Sequence, residues 1–157
     1  MAEAEREAHS LGEPEHGGFG LLWFGPTSTG VWRVPVATEL ADIDTAIATA
    51  RAVDPRPMQA PNRVVYHWTD YGRALESAGK DDEAERALSE AEMVDPQRFR
   101  MDPMVKDSVS ALIHRAKRRA VAGPLLTMAQ RLGLEDIVLR LCRSQEHSAI
   151  RSPLSRP

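Results

Sequence analysis

Histidine, cysteine and clustered glycine are the residue types in this 157-residue chain whose chemistry would matter most. Their spacing argues against each use in turn. His9, His16, His67, His114 and His147 are scattered without ligand spacing, and no H-E-x-x-H occurs, so no metal site is expected. The glycines between Gly17 and Gly30 suggest a phosphate-binding loop, but neither G-x-x-x-x-G-K-[ST] nor a complete G-x-G-x-x-G following a strand is present. Flexible turns account for them. His16-Gly17-Gly18 has the form of an oxyanion loop, yet no G-x-S-x-G elbow exists to supply a nucleophile. Cys142 is the single cysteine, on an apolar stripe, and reads as a buried small hydrophobe rather than a nucleophile. It cannot form an internal disulfide, which fits a reducing, cytoplasmic setting. The expectation is of no catalytic residue, no metal and no cofactor.

Binding chemistry has more to work with. Arg115, Lys117, Arg118 and Arg119 form a dense basic cluster, a candidate patch for phosphate. They fall in the last turns of a predicted helix, where cations complement the negative end of the helix dipole and stay solvated. Residues 124–143 have the outline of a helix-turn-helix, with Ala129, Gly133 and apolar residues Met128, Leu132, Leu134, Leu139 and Cys142 at buried positions. The positions that would read bases hold Glu135, Asp136, Ile137 and Val138, acid and hydrocarbon where a recognition helix needs polar or basic groups. A formal net charge of −3 also disfavours wrapping nucleic acid. Residues 124–143 therefore read as a terminal hairpin, with a DNA-binding regulator as the alternative.

Of the whole chain 42 % is hydrophobic and 27 % charged, a composition that folds, and no run approaches a membrane span. The 21 alanines against eight aromatics suit helices that approach closely. Residues 2–8 suggest a polar first helix leading into a loop through residue 18. A helical pattern starts at Val34, with Val36, Leu40, Ile43 and Ile47 on one stripe, and Pro35 tells against a helix running unbroken through that point. Pro61 starts a helix to Ala78, Gly79 breaks it, and Asp81-Asp82 lead a helix through Met93 that Asp95-Pro96 ends. Asp102-Pro103 begins another, with Val105, Val109, Leu112, Ile113, Ala116 and Ala120 inward, until Gly123. Two short helices, 125–132 and 137–142, close the fold, and residues 144–157 read as a disordered tail. No segment alternates as a strand would. The predicted class is all-α, with one helical domain over 19–143.

One internal pattern is specific. Trp68-x-x-Tyr71-Gly72-x-x-Leu75, then Gly79, then Ala84-x-x-x-Leu88-x-x-Ala91-x-x-x-x-Pro96 matches the tetratricopeptide repeat, an antiparallel helix pair of about 34 residues. Gly72 and Ala84 permit close helix approach while Trp68, Leu75 and Leu88 fill the space between, making 65–98 the clearest repeat. About three repeats are needed for stability, so the flanks are expected to be degenerate repeats. Upstream, Ala41-Asp42 imitates Ala78-Gly79 and Asp54-Pro55 imitates Asp95-Pro96, while 103–142 keeps the two-helix rhythm of a capping unit. The expected architecture is a right-handed superhelical array of antiparallel helix pairs.

Phe24-Gly25-Pro26-Thr27, Arg33-Val34-x-Val36-Ala37-x-Glu39-Leu40, Ala91-Glu92, Arg100-x-Asp102-Pro103 and Ala129-x-Arg131-Leu132-Gly133 together resemble the C-terminal tetratricopeptide half of actinobacterial Xre-type helix-turn-helix transcriptional regulators. The resemblance spans about residues 19–134. It implies a helical array that senses a ligand or partner, in a family whose N-terminal domain binds DNA. The residues before Phe19 are too few for that domain, and Pro35 and the extension past Leu134 are further departures. The function expected is a non-enzymatic interaction or ligand-sensing module that takes a protein or peptide partner, without membrane attachment or direct contact with nucleic acid, and with a homodimer left open. Tyr66, Thr69, Asp70, Arg73 and Ser77 are the expected groove residues, because Trp68 and Tyr71 face inward. Arg73 is the expected charged anchor, since a guanidinium can clamp a carboxylate at two points. Seven of the eight aromatics lie between Phe19 and Tyr71, marking the end where a thick core or a docked partner domain is expected.

Overall fold

A computed structural model describes residues 2–13, 24–58, 60–116 and 123–140. These residues are helical throughout their regular structure, with no strand among them: α1 (Ala2–Leu11), α2 (Pro26–Glu39), α3 (Ile43–Ala52), α4 (Pro61–Ser77), α5 (Asp81–Val94), α6 (Pro96–Met101), α7 (Pro103–Ala116), α8 (Pro124–Arg131) and a short α9 over 135–140. Internal contacts divide the chain into two compact units, Met1–Val105 and Lys106–Pro157.

The first unit is built on two helical hairpins. α4 packs most extensively on α5, and α2 packs on α3; α4 also touches both α2 and α3, α1 lies on α2, and α6 contacts α5 and α4. Both hairpins turn in the same way. After α4, Gly79 at φ +72° donates its N–H to the Glu76 carbonyl at 3.0 Å, and Lys80 donates to the Leu75 carbonyl at 2.9 Å. After α2, Ala41 at φ +58° donates to Thr38 at 3.0 Å and Asp42 to Ala37 at 2.9 Å. This pair of hydrogen bonds is the Schellman closure, which satisfies carbonyls that the helix end would otherwise leave bare. The Asp42 carboxylate then accepts from the Thr45 N–H and caps α3.

Small residues set the spacing within the α4–α5 pair. Ala84, Leu88 and Ala91 of α5 and Ala74 and Leu75 of α4 are fully buried. A Cβ on Gly72 would stand 2.9 Å from both Cγ and Cδ2 of Leu88, so the α4 backbone occupies the place a side chain would take. Val31, Met58 and Val64 make a second cluster that Val53 and Trp68 pack against.

Three features depart from the helical pattern expected of this unit. α2 begins at Pro26 rather than at Val34, and it runs through Pro35. Pro35 has no N–H for the Val31 carbonyl, a defect that costs about 3 kcal/mol in a helix interior. Burial of Val31, Val34 and Ala37 on the same helix offsets it. Leu40, expected on the apolar stripe, is 75 % exposed, because the helix ends at Glu39 and the left-handed turn at Ala41 swings it outward. α6 has no counterpart in the expected pattern: Asp95 ends α5 and at once caps α6, accepting from the N–H groups of Gln97 and Arg98, and Pro96 suits a first turn. Its burial of Phe99 repays the short helix.

In the second unit, Val109, Leu112 and Ile113 of α7 and Leu125, Met128 and Ala129 of α8 are buried. The turn after α8 closes in the same way: Gly133, at φ +72°, donates to the Gln130 carbonyl at 3.1 Å and Leu134 to the Ala129 carbonyl at 3.0 Å. The α9 face differs from expectation: Val138 is buried and Leu139 is 54 % exposed, so the inward position falls one residue earlier. Phe19, Trp23, Ala120, Cys142 and the 144–157 tail lie outside the described residues.

Candidate partner-binding groove

α4 carries Arg63, Tyr66, Asp70 and Arg73 at steps of three and four, a single stripe along one face. Opposite it, α2 presents Trp32 and Pro35. Between the two helices lies a mostly apolar cavity of about 280 Å³, lined by Val31, Trp32, Pro35, Arg63, Tyr66 and Asp70. Trp32 is 51 % exposed, and Tyr66 is also exposed, which is a large apolar surface to leave in water.

The aromatic rings organise the basic groups around them. The Arg63 guanidinium carbon sits 4.5 Å from the Trp32 ring centroid, and that of Arg98 lies 5.6 Å from the Tyr66 ring while its Nη1 donates to the Tyr66 hydroxyl at 3.0 Å. Both are cation–π arrangements, which keep a guanidinium oriented without neutralising it.

At the other end of the stripe, Arg73 is shared between two carboxylates. Its Nη1 donates to Asp70 Oδ1 at 3.2 Å and its Nη2 to Glu39 Oε1 at 2.9 Å, which ties α4 to the end of α2. Burial pushes the Asp70 carboxyl up to about 6, against the opposing pull of Arg73. A single long bond from a shared guanidinium does not repay the lost hydration of that carboxylate.

Of the five expected groove residues, the structure places Tyr66 and Asp70 on the cavity wall. Arg73 lies beside it, with both ends of its fork already engaged by Asp70 and Glu39. Ser77 is exposed at the end of α4, and Thr69 is 2 % exposed and turned inward. Val31, Trp32, Pro35 and Arg63 complete the wall and were not among the expected residues. Arg63 was within reach of pattern reading, since it precedes Tyr66 by three on a helix already begun at Pro61. A helical pattern starting at Val34 leaves Trp32 outside α2, and Pro35 reads from sequence as an interruption rather than as part of a wall.

The other candidate features stand apart. Arg115 is exposed in the last turn of α7, and Lys117, Arg118 and Arg119 lie outside the described residues. Glu135 and Asp136 are exposed at the start of α9. A larger cavity of about 490 Å³ is bounded by Glu5 and His9 of α1, Arg33 of α2, and Val53 and Asp54 after α3, with Arg33 and Glu5 paired across it. Among the described residues, no three His, Cys, Asp or Glu side chains gather as metal ligands, and no helix is long and apolar enough to cross a membrane. Comparison with family models, curated proteins and solved structures found no match to this chain.

Proposed function

We propose that this chain is a non-enzymatic, cytoplasmic interaction or ligand-sensing module of tetratricopeptide type, related to the sensing half of a bacterial transcriptional regulator, and that it takes a protein or peptide partner in the groove between α2 and α4. The observation that carries this reading is the exposure of Trp32 and Tyr66 around an apolar, side-chain-sized cavity on the first helices of two successive hairpins. Aromatic side chains of this kind dominate binding energy where they become buried by a partner. The array itself is supported by the repeated Schellman turns, by the contact of α4 with both helices of the preceding hairpin, and by the close approach at Gly72.

The test is titration of the full chain with a pool of helical and extended peptides, followed by intrinsic tryptophan fluorescence and calorimetry. The wild type is expected to bind members of the pool. Trp32→Ala, whose side chain is half outside the fold, is expected to keep the wild-type circular dichroism and lose about tenfold in affinity, as a central aromatic contact does. Equal binding by wild type and Trp32→Ala, or none by either, would remove the groove from consideration.

A further inference from the structure

Arg63 and Asp70 bracket the cavity, and their surroundings leave each with bonding capacity to spare. Among the described residues Arg63 has no carboxylate partner; stacking on Trp32 holds its planar fork at the cavity wall. Asp70 receives its one hydrogen bond at Oδ1, and Oδ2 receives none among the described residues. Its side chain is only 15 % exposed, so water cannot solvate that oxygen fully. The groove therefore offers an unpaired cation at one end, an under-paired anion at the other, and Trp32, Pro35 and Tyr66 between them.

The separation of the two charges selects a partner's conformation. Arg63 and Asp70 are seven residues apart on one helix, which is two turns, nearly the same azimuth and about 10 Å along the axis. In an extended strand, side chains on one face recur at about 7 or 13 Å, so neither spacing places two of them over both charges. A second helix matches the spacing with residues seven apart, and the residue three or four along falls on the aromatic wall.

We propose, resting on the groove reading above, that the occupant is an amphipathic helix of a partner protein that carries an acidic side chain and a basic side chain seven residues apart, with an apolar side chain midway. The acid pairs with Arg63 bidentately, the apolar side chain enters between Trp32, Pro35 and Tyr66, and the ammonium or guanidinium reaches Asp70 Oδ2. Either chain direction satisfies the pattern, because reversing the partner helix exchanges the order of its two charges. The discriminating features are opposite sign and a spacing of seven.

Four stapled helical peptides of equal length and helicity, titrated into the full chain, provide the test: Glu and Lys seven apart around a central Leu, Glu and Glu, Lys and Lys at the same positions, and Glu and Lys only five apart. The first is expected to bind about three- to tenfold more tightly than the others at low salt, with the advantage shrinking at high ionic strength. Arg63→Glu, a partly exposed position, is expected to transfer the preference to the Lys and Lys peptide. Equal binding of all four, lost on Trp32→Ala, would overturn the charge pattern and leave the groove standing. Tighter binding of an unstapled extended peptide would overturn the helical occupant. Self-association of the protein through Trp32 in place of peptide binding would assign the groove to a second copy, and no binding by any peptide would overturn both this proposal and the groove.

Discussion

His67 is the residue whose chemistry the fold least accommodates. It has no exposed surface, and neither ring nitrogen has a hydrogen-bond partner among the described residues. Desolvation lowers its pKa from the ordinary 6.5 to about 4, only partly countered by the Asp54 carboxylate. Between those values the unfolded chain takes up a proton here that the folded chain does not, so stability falls as the pH drops from 6.5 towards 4. Asp70 works in the opposite direction. Its raised pKa lets the folded chain keep a proton between 3.8 and about 6, a contribution present below that window and lost as the pH rises through it. The two slopes oppose each other between about pH 4 and 6, so the wild type conceals both. Replacing one uncovers the other. In urea unfolding from pH 7.5 to pH 5, the wild type is expected to lose about 2 kcal/mol relative to His67→Leu, from 1.5 pH units of unmatched protonation. Parallel pH profiles for the two proteins would mean that His67 is protonated as readily folded as unfolded.

At the scale of elements, the same closure recurs with different residues. Gly79 and Gly133 meet the left-handed turn with no side chain to strain, whereas Ala41 meets it with a Cβ against the following carbonyl. Ala41→Gly is expected to raise unfolding free energy by about 1 kcal/mol, the steric relief being partly offset by the greater freedom of glycine in the unfolded chain. Chemical denaturation with an unchanged m-value would report it, and a variant no more stable than wild type would show that the turn relaxes around Ala41 without strain. Alanine at this position also explains why the α2–α3 turn was harder to read than the α4–α5 turn, since a glycine punctuates the chain and an alanine does not. The α2 end gains a further tie from Glu39 to Arg73, and α3 is joined to α4 and α5 by Arg51, which donates to the Tyr71 hydroxyl at 3.1 Å and to Glu83 at 2.6 Å. Exposed pairs like the last contribute little stability and serve mainly to fix orientation.

For the molecule as a whole, charge decides between partners. A net charge of −3 gives no long-range attraction to a polyphosphate, and the exposed start of α9 adds Glu135 and Asp136 where a DNA reader would present donors. The chain is therefore expected to pass through immobilised duplex DNA without salt-dependent retention, even at low ionic strength. Retention that weakens steeply with added salt would favour the alternative in which residues 124–143 form a DNA-binding unit. The two compact units keep these questions separate: the proposed groove belongs wholly to the first, and α8 and α9 to the second.

Helix existence was legible from the chain because periodicity, capping and proline punctuation are local: Pro61 to Ser77 and Asp81 to Val94 stand close to where apolar spacing and Gly79 place them, and Gly72 approaches Leu88 as the small-residue pattern implies. The groove was legible only along α4, where Tyr66 and Asp70 share a helical face. Its other wall was not, because a helix through Pro35 persists only by burying Val31 and Val34, and burial depends on distant residues. The same holds for Arg73. Its residue type suggested a free anchor, but the end of α2 brings Glu39 to it, and on the cavity wall that leaves Arg63, held on Trp32, as the cation without a carboxylate partner among the described residues. Local chemistry thus determined α4, α5 and the turn between them, together with the residues through which that pair packs. Only tertiary packing decided which charges are already spent on one another, because pairing depends on distances between helices that no spacing along the chain encodes.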